Sequence, residues 1–238
     1  MKLKNQNVLV VGGSTGIGFA VAEAAAREGA NLILLARDLA KLKTAQSRLG
    51  GETRILSADY LQKEELVRAM AELPVVHHIV LSASSQVAWG PFRDLTADRL
   101  ISAFQGKLIG YVQAIQAVLP RLDPQGSITL VTGAASRAGI PNTSGVAAVN
   151  GAISQMAHTL SKELAPIRVN VVSPGMTETP AYDGIPEAQR REMFRSTAAQ
   201  LPVGRIGQPE DIALGALMLM QNPFATGVIL DLDGGLRG

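Results

Sequence analysis

Glycine residues near the N-terminus have the spacing of a phosphate-binding turn. Residues 8–20 read VLVVGGSTGIGFA: four apolar residues typical of a buried strand, a turn with glycines at positions 12, 13, 16 and 18, and an apolar helical pattern from Ile17. Glycines let the backbone turn sharply and approach a pyrophosphate, which the free N–H groups at a helix N-terminus bind. An ordinary strand-to-helix turn is the alternative, but the strand–glycine–helix context favours a dinucleotide site. The expected contacts in this turn are Gly12, Ser14, Thr15, Gly16, Ile17 and Gly18.

Arg37 stands where a dinucleotide fold reads the adenosine ribose. It follows a second apolar run, NLILLA at residues 31–36. An acidic residue here suits a free 2′-hydroxyl, whereas an arginine suits a 2′-phosphate. Arg37, with Ser14 as a second phosphate contact, therefore predicts NADP(H) as the cofactor. The adjacent Asp38 leaves NAD(H) as the alternative, and a solvated arginine at a helix start needs no ligand at all.

Composition excludes several classes of protein. The net charge of +2 offers no broad basic surface, so no nucleic-acid partner is expected. The absence of cysteine excludes disulfides and thiolate metal sites. His77 and His78 have no partner at metal-ligand spacing and are expected to be surface imidazoles, so no metal site is predicted. No apolar run approaches the ~20 residues that a membrane span needs, and the N-terminal MKLKNQN lacks the apolar core of a signal peptide. We therefore expect a cytoplasmic protein without a membrane partner.

Apolar runs alternate with helical patterns along the whole chain. Strands are predicted at residues 8–11, 31–36, 53–57, 79–82, 126–132, 167–172 and 228–232. Helices are predicted at 17–26, 39–49, 62–71, 98–119, 144–164 and 187–200, and a last one ends at Met220. This alternation predicts an α/β fold with one doubly wound, Rossmann-like parallel sheet of seven strands, in a single domain spanning residues 1–238. An irregular stretch and helix at about 176–200 is expected to cover a substrate.

An ordered set of motifs resembles the short-chain dehydrogenase/reductase family. The set comprises the glycine turn, residues 89–96, IRVN at 167–170 before Pro174 and Gly175, residues 202–210, and TG…DLDGG at 226–235. The resemblance implies an oxidoreductase acting on a carbonyl–alcohol pair with NAD(P)(H). It also implies that Asp59 binds the adenine amino group, although an aspartate there is equally an N-cap. The other implied cofactor contacts are Tyr60, Ser82, Ala83, Ser84, Asn150, Pro174, Gly175, Thr177 and Thr179.

The sequence departs from that family where the chemistry should be. Members use a serine, a tyrosine and a lysine, the last two spaced Tyr-x-x-x-Lys, with an asparagine from the preceding helix. The matching positions here are Gly133 for the serine, Val146 for the tyrosine, Asn150 for the lysine and Lys107 for the asparagine. Val146 cannot donate a proton and Gly133 has no hydroxyl, whereas Asn150 can still hydrogen-bond ribose hydroxyls.

Three side chains are candidates to replace the missing groups. Lys107 could stabilise a developing alkoxide, or donate a proton if burial lowers its pKa. Ser136 could supply a hydroxyl, and Tyr182 could swing over a substrate. Each also has a purely structural explanation: Lys107 could make a polar contact, Ser136 could provide a turn hydroxyl and Tyr182 could form a pocket wall. Two function classes follow, an NADP(H)-dependent oxidoreductase with unusual proton chemistry and a catalytically inactive dinucleotide-binding sensor or partner subunit. The pocket elements Trp89 and Tyr182 favour the enzyme.

The two longest predicted helices carry apolar residues on more than one face. On residues 144–164 these include Val146, Val149, Ile153, Met156 and Leu160. One face covers the sheet, and the other needs a partner. The family resemblance implies that these helices form a dimer bundle and that the C-terminal strand forms a second contact. We therefore expect a homotetramer or homodimer.

Overall fold

The computed structural model describes residues 1–50, 52–83 and 87–236 and contains one parallel seven-stranded sheet. The strand order is β3-β2-β1-β4-β5-β6-β7, with every neighbouring pair parallel. The strands are β1 (Asn7–Val11), β2 (Asn31–Ala36), β3 (Arg54–Ser57), β4 (Val76–Leu81), β5 (Leu122–Val131), β6 (Arg168–Pro174) and β7 (Ile229–Leu232). The helices are α1 (Gly16–Arg27), α2 (Leu39–Leu49), α3 (Lys63–Ala71), α4 (Ala97–Phe104), α5 (Gly110–Val118), α6 (Ser144–Glu163), α7 (Glu187–Ala198) and α8 (Pro209–Gln221). The predicted doubly wound fold is confirmed.

Helices cover both faces of the sheet, which explains why its strands are apolar runs rather than alternating patterns. Along β1, Leu9 and Val11 join a core formed with α3, α5 and α6. Val8 and Val10 point to the opposite side, into a core formed with α1, α2 and α8. Both faces of β1 are thus removed from water, and the end of the strand is held firmly beneath the glycine turn.

The glycine turn joins β1 to α1 in a conformation that side chains would obstruct. Gly12 and Gly16 have φ angles of +80° and +55°. A Cβ on Gly12 would lie 2.8 Å from the Ala83 backbone nitrogen, and one on Gly18 would lie 2.2 Å from the Gly12 oxygen. Gly12 therefore lets the turn meet the loop after β4, and Gly18 lets α1 pack closely against the end of β1.

The helix predicted at residues 98–119 is interrupted, which corrects the sequence-based assignment. A π-helical turn, Gln105–Ile109, separates α4 from α5. The Tyr60 hydroxyl donates a hydrogen bond to the Gly106 carbonyl of this turn, at 2.5 Å. A π-turn holds one residue more than an α-helical turn and often lies at a functional site. Here it contains Lys107, whose side chain is only 7% exposed.

His78 contradicts the expectation of a surface imidazole. It lies in β4, between β1 and β5, and is 4% exposed. Its Nδ1 is 2.7 Å from Ser127 Oγ and its Nε2 is 2.9 Å from Gln6 Oε1. Burial lowers the His78 pKa to about 4. The expectation is wrong because β4 begins at Val76, earlier than predicted, and draws both histidines into the sheet.

The described residues contain no helix long and apolar enough to cross a membrane. Within the same parts of the chain, no three His, Cys, Asp or Glu side chains are grouped so that they could hold a metal ion.

Candidate functional site

A groove of about 400 Å³ runs across the carboxyl ends of the strands. It lies where the strand order reverses, between β1 and β4, which is where open α/β sheets bind ligands. The predicted cofactor contacts that line it are Gly12, Ser14, Thr15, Gly16, Ile17, Arg37, Tyr60, Ser82, Ala83, Pro174 and Thr179. The fold thus brings together residues from six separate segments of the chain.

Other predicted contacts lie elsewhere. Gly18 packs α1 against β1, as described above, and Gly175, Thr177 and Asn150 line a second cavity instead of the groove. Asp59 Oδ1 accepts a hydrogen bond from the Leu61 N–H at 3.0 Å. It does not cap α3, whose N-cap is Gln62, so the capping alternative for Asp59 is wrong. Ser84 falls outside the described residues.

The N-terminus of α1 opens onto this groove with the features of an anion site. Thr15 is the N-cap residue, and its side chain makes no capping hydrogen bond. No acidic residue occupies the first turn of α1. The free N–H groups and the positive end of the helix dipole therefore remain available to a phosphate.

Two cationic side chains flank the groove at its β2 end. Arg37 and Lys41 both line it and are exposed, and within the described residues Arg37 has no ion-pair partner. Asp38 caps α2, because its Oδ1 accepts from the Lys41 N–H at 3.0 Å. The Asp38 carboxylate is thereby engaged with its own helix, which favours a phosphate over a bare ribose. Lys41 was not predicted from the sequence, although its place one helical turn after Arg37 is a usable signal.

A second cavity, of about 310 Å³, adjoins the groove. Its walls include Trp89, Ile140, Val146, Met176 and Leu201, and several residues of the segment at 176–200 line it. Among the described residues that line this cavity, Lys107 is the only charged one, and it lines the groove as well. Lys107 therefore stands at the junction of the two cavities.

Lys107 and Asn150 contact each other at that junction. Lys107 Nζ donates to Asn150 Oδ1 at 2.8 Å and to the Thr132 carbonyl at 3.2 Å. The side chains of Ala103, Val146 and Val149 beside it carry no charge. Burial without a compensating carboxylate lowers the Lys107 pKa to about 7. The amine is therefore divided between its charged and neutral forms near neutral pH.

The contact with Lys107 also orients the Asn150 amide. Because Oδ1 accepts from Lys107, Nδ2 is left as a donor, and it lies on the side of Gly133. A Cβ on Gly133 would be 3.0 Å from Asn150 Nδ2. The glycine therefore leaves the amide nitrogen uncrowded, and Asn150 lines the second cavity.

Comparison with known proteins identifies the family. A family model described as enoyl-(acyl carrier protein) reductase matches residues 11–237. Human 3-oxoacyl-[acyl-carrier-protein] reductase is 31% identical, with 96% of each chain covered. A short-chain dehydrogenase/reductase of Gibberella fujikuroi is 30% identical over 98% of this chain and 95% of its own. The chain belongs to the short-chain dehydrogenase/reductase family.

Solved structures of other short-chain dehydrogenases/reductases superpose over nearly the whole chain. One is described as a small-chain dehydrogenase in complex with NADPH; it has 33% identity, a TM-score of 0.85, and coverage of 99% of this chain and 100% of its own. Another is a reductase/Diels-Alderase from Malbranchea aurantiaca, with 26% identity, a TM-score of 0.88, and coverage of 99% and 98%. This chain therefore shares its fold with these solved structures over nearly its whole length.

Of the other two candidate catalytic residues in this short-chain dehydrogenase/reductase, Tyr182 lines the second cavity and Ser136 does not. Ser136 Oγ donates to the Gly133 carbonyl at 2.9 Å, and Ser136 does not line the second cavity. Tyr182 does line it, with its ring packed edge-on against Phe194 at 5.4 Å. Burial raises the Tyr182 pKa, so its hydroxyl stays protonated at neutral pH. The structure brings Lys107, Asn150 and Tyr182 to one cavity and leaves Ser136 in a turn.

Proposed function

We propose that this protein is an NADP(H)-dependent oxidoreductase whose reaction centre uses Lys107 and Asn150 in place of the tyrosine and lysine of its family. The observation that carries the proposal is the position of Lys107: a buried amine that lines both the groove and the adjoining cavity. A charged donor at that junction would lie close to the reacting atoms of a cofactor in the groove and a substrate in the cavity. Gly133 and Val146 supply no polar side chain there.

Several features support a dinucleotide in the groove. The N-terminus of α1 has free N–H groups that can bind a phosphate. Gly12 and Gly16 have no side chain that would keep the cofactor away from the backbone. Arg37 and Lys41 are cations suited to bind a 2′-phosphate. The relative solved in complex with NADPH has the same fold. When bound, such a cofactor supplies or accepts a hydride.

Lys107 is suited to stabilise the oxygen of a carbonyl substrate. As an ammonium it has three N–H donors, and two are used by Asn150 Oδ1 and the Thr132 carbonyl. The third has no acceptor among the described residues, so it can donate to a substrate oxygen that gains negative charge, or transfer its proton. A pKa near 7 is close to the best value for a group that must donate a proton and recover it at neutral pH. Asn150 Nδ2 provides a second, uncharged donor.

Oxidation of NADPH with a panel of ketones, enones and imines tests the proposal. With an accepted substrate, Lys107→Met is expected to lower turnover by roughly 100-fold, the scale of a removed oxyanion donor. Its affinity for NADPH, measured by fluorescence titration, is expected to stay within a factor of about three. Lys107→Arg keeps the charge and is expected to retain more activity than Lys107→Met. Because the ammonium is the active form, kcat/KM, which reports the ionisation of the free enzyme, is expected to fall as pH rises through about 7.

Two outcomes would overturn the proposal. Turnover that is unchanged in Lys107→Met would remove Lys107 from the reaction. A parent protein that binds NADPH but turns over no tested compound would favour the inactive dinucleotide-binding protein, acting as a sensor or as the partner of an active relative.

A further inference from the structure

Among the described residues the amine of Lys107 contacts two acceptors, which leaves one direction at the nitrogen without a partner, and Lys107 lines the apolar cavity as well as the groove. Its tetrahedral nitrogen is bonded to Cε and donates to Asn150 Oδ1 and the Thr132 carbonyl. Both acceptors are neutral, and no carboxylate pairs with Lys107 within the described residues. In the uncharged amine, the two N–H groups satisfy these acceptors and the lone pair takes the fourth direction. A buried lysine in such a setting has the properties of an imine-forming residue.

We propose that Lys107 captures uncharged aldehydes and ketones covalently, as an imine, in the cavity lined by Trp89, Val146, Met176 and Tyr182. This inference goes beyond the proposed function, since it uses the neutral amine rather than the ammonium. It makes the cavity a carbonyl-binding site with a nucleophile of its own.

The bond changes balance without a further reactant. The Nζ lone pair attacks the carbonyl carbon, the C=O π electrons move to oxygen, and a proton passes from nitrogen to that oxygen. The resulting carbinolamine loses its hydroxyl group together with the second nitrogen proton as water, and a C=N bond forms. If the imine is protonated, it keeps one N–H, which Asn150 Oδ1 is placed to accept. No oxidant or reductant is consumed.

The cavity defines the class of carbonyl compound. At about 310 Å³ it has the volume of about ten water molecules, so it suits a compound of about that many non-hydrogen atoms. Its walls are mainly apolar, and no second charged residue among the described lining residues would bind an ionic substituent. A compound with a carboxylate would also pair with the ammonium and keep Lys107 protonated. Linear or aromatic aldehydes such as hexanal and cinnamaldehyde are therefore the appropriate probes.

Borohydride trapping tests the inference directly. The full-length protein, without dinucleotide, is incubated with submillimolar hexanal and reduced with sodium cyanoborohydride, and each lysine is then quantified by peptide mass spectrometry. Lys107 is expected to be labelled at least tenfold more than exposed lysines such as Lys162, approaching one adduct per chain. Labelling is expected to increase as pH rises through about 7, because only the neutral amine reacts.

Two variants separate this role from that of the proposed function. Lys107→Arg keeps a cation but cannot form an imine, so it is expected to abolish the adduct while retaining part of the NADPH-linked activity. Ile140→Trp narrows the cavity from a wall residue that is not among those packed around the Lys107 amine, so it is expected to reduce labelling of Lys107 at least fivefold, with surface labelling unchanged. Labelling of Lys107 no greater than that of exposed lysines would overturn the inference, whatever the reductase assay shows. Labelling that persists in Ile140→Trp would also overturn it, since the adduct would not occupy this cavity.

Discussion

Replacing Lys107 by methionine should change how the stability of the protein depends on pH. Burial lowers the Lys107 pKa from 10.5 to about 7 in the folded state. Between these two pH values the unfolded chain binds more protons than the folded one, so stability rises with pH. The loss of stability caused by burying the charged Lys107 ammonium is fully present below about pH 7 and absent above about pH 10.5. No charged group on α4, α6 or the end of β5 faces the amine among the described residues to offset it.

The magnitude follows from the size of the shift. Each pKa unit corresponds to about 1.4 kcal/mol, so the full penalty is about 5 kcal/mol. Between pH 7.5 and 9.5 the wild type should gain about 2–3 kcal/mol relative to Lys107→Met. The loss of the contacts to Asn150 and Thr132 contributes a difference that does not depend on pH, so the change in the gap isolates the titration.

Urea unfolding of the two proteins at both pH values measures this gap. Equal protein concentrations are required, since association would shift the apparent stability of both. Lys162→Met is the control, because Lys162 is exposed. A gap between wild type and Lys107→Met that changes by less than about 0.5 kcal/mol would refute the reasoning, as it would mean that Lys107 is not desolvated.

Three further predictions concern the groove, the glycine turn and the assembly. NADP(H) should bind more than about tenfold more tightly than NAD(H), because each charge-assisted hydrogen bond to phosphate contributes roughly 1.5–3 kcal/mol; Arg37→Met should remove most of this preference in a titration, and equal affinities in the wild type would point to Asp38 as the ribose contact. Gly18→Ala should destabilise the fold by about 1–3 kcal/mol in denaturant unfolding, since its Cβ would lie 2.2 Å from the Gly12 oxygen. Gly151→Ala, where a Cβ meets nothing within 4 Å, is the matched control and should stabilise by about 0.5–1 kcal/mol. Light scattering should show a homotetramer or homodimer, because Ile101, Ile109 and Leu214 leave apolar side chains exposed on the helices; a 25.0 kDa particle at micromolar concentration would contradict it.

Lys107 and Asn150 form a polar contact at the junction of the groove and the second cavity. The amine comes from the π-turn and the amide from α6, and the two side chains are joined by a hydrogen bond. The proposed chemistry follows from this geometry, because one donor is charged and titrates near neutral pH while the other is neutral and fixed in orientation.

Sequence patterns by themselves determined the fold and the location of the groove. Apolar runs, helical periodicity and the glycine turn are local properties, because strand burial and turn geometry depend on residues close together in the chain. The position of Arg37 directly after β2 could also be predicted, because it depends only on where that local apolar run ends. The identities at positions 107, 133, 146 and 150 were visible too, but only as departures from a family pattern.

Tertiary packing alone decided what those residues contact and how deeply they are buried. Lys107 and Asn150 are 43 positions apart in the sequence. They are in contact because the π-turn packs against α6. The inserted residue of that turn leaves no trace in helical periodicity, so neither the break in the helix nor the depth of Lys107 could be foreseen. The burial of His78 between β1 and β5, and the engagement of Ser136 with its own turn, depend likewise on neighbours remote in sequence or on exact backbone geometry. A residue type shows which chemistry is available, whereas desolvation by distant elements determines its protonation state and therefore its chemistry.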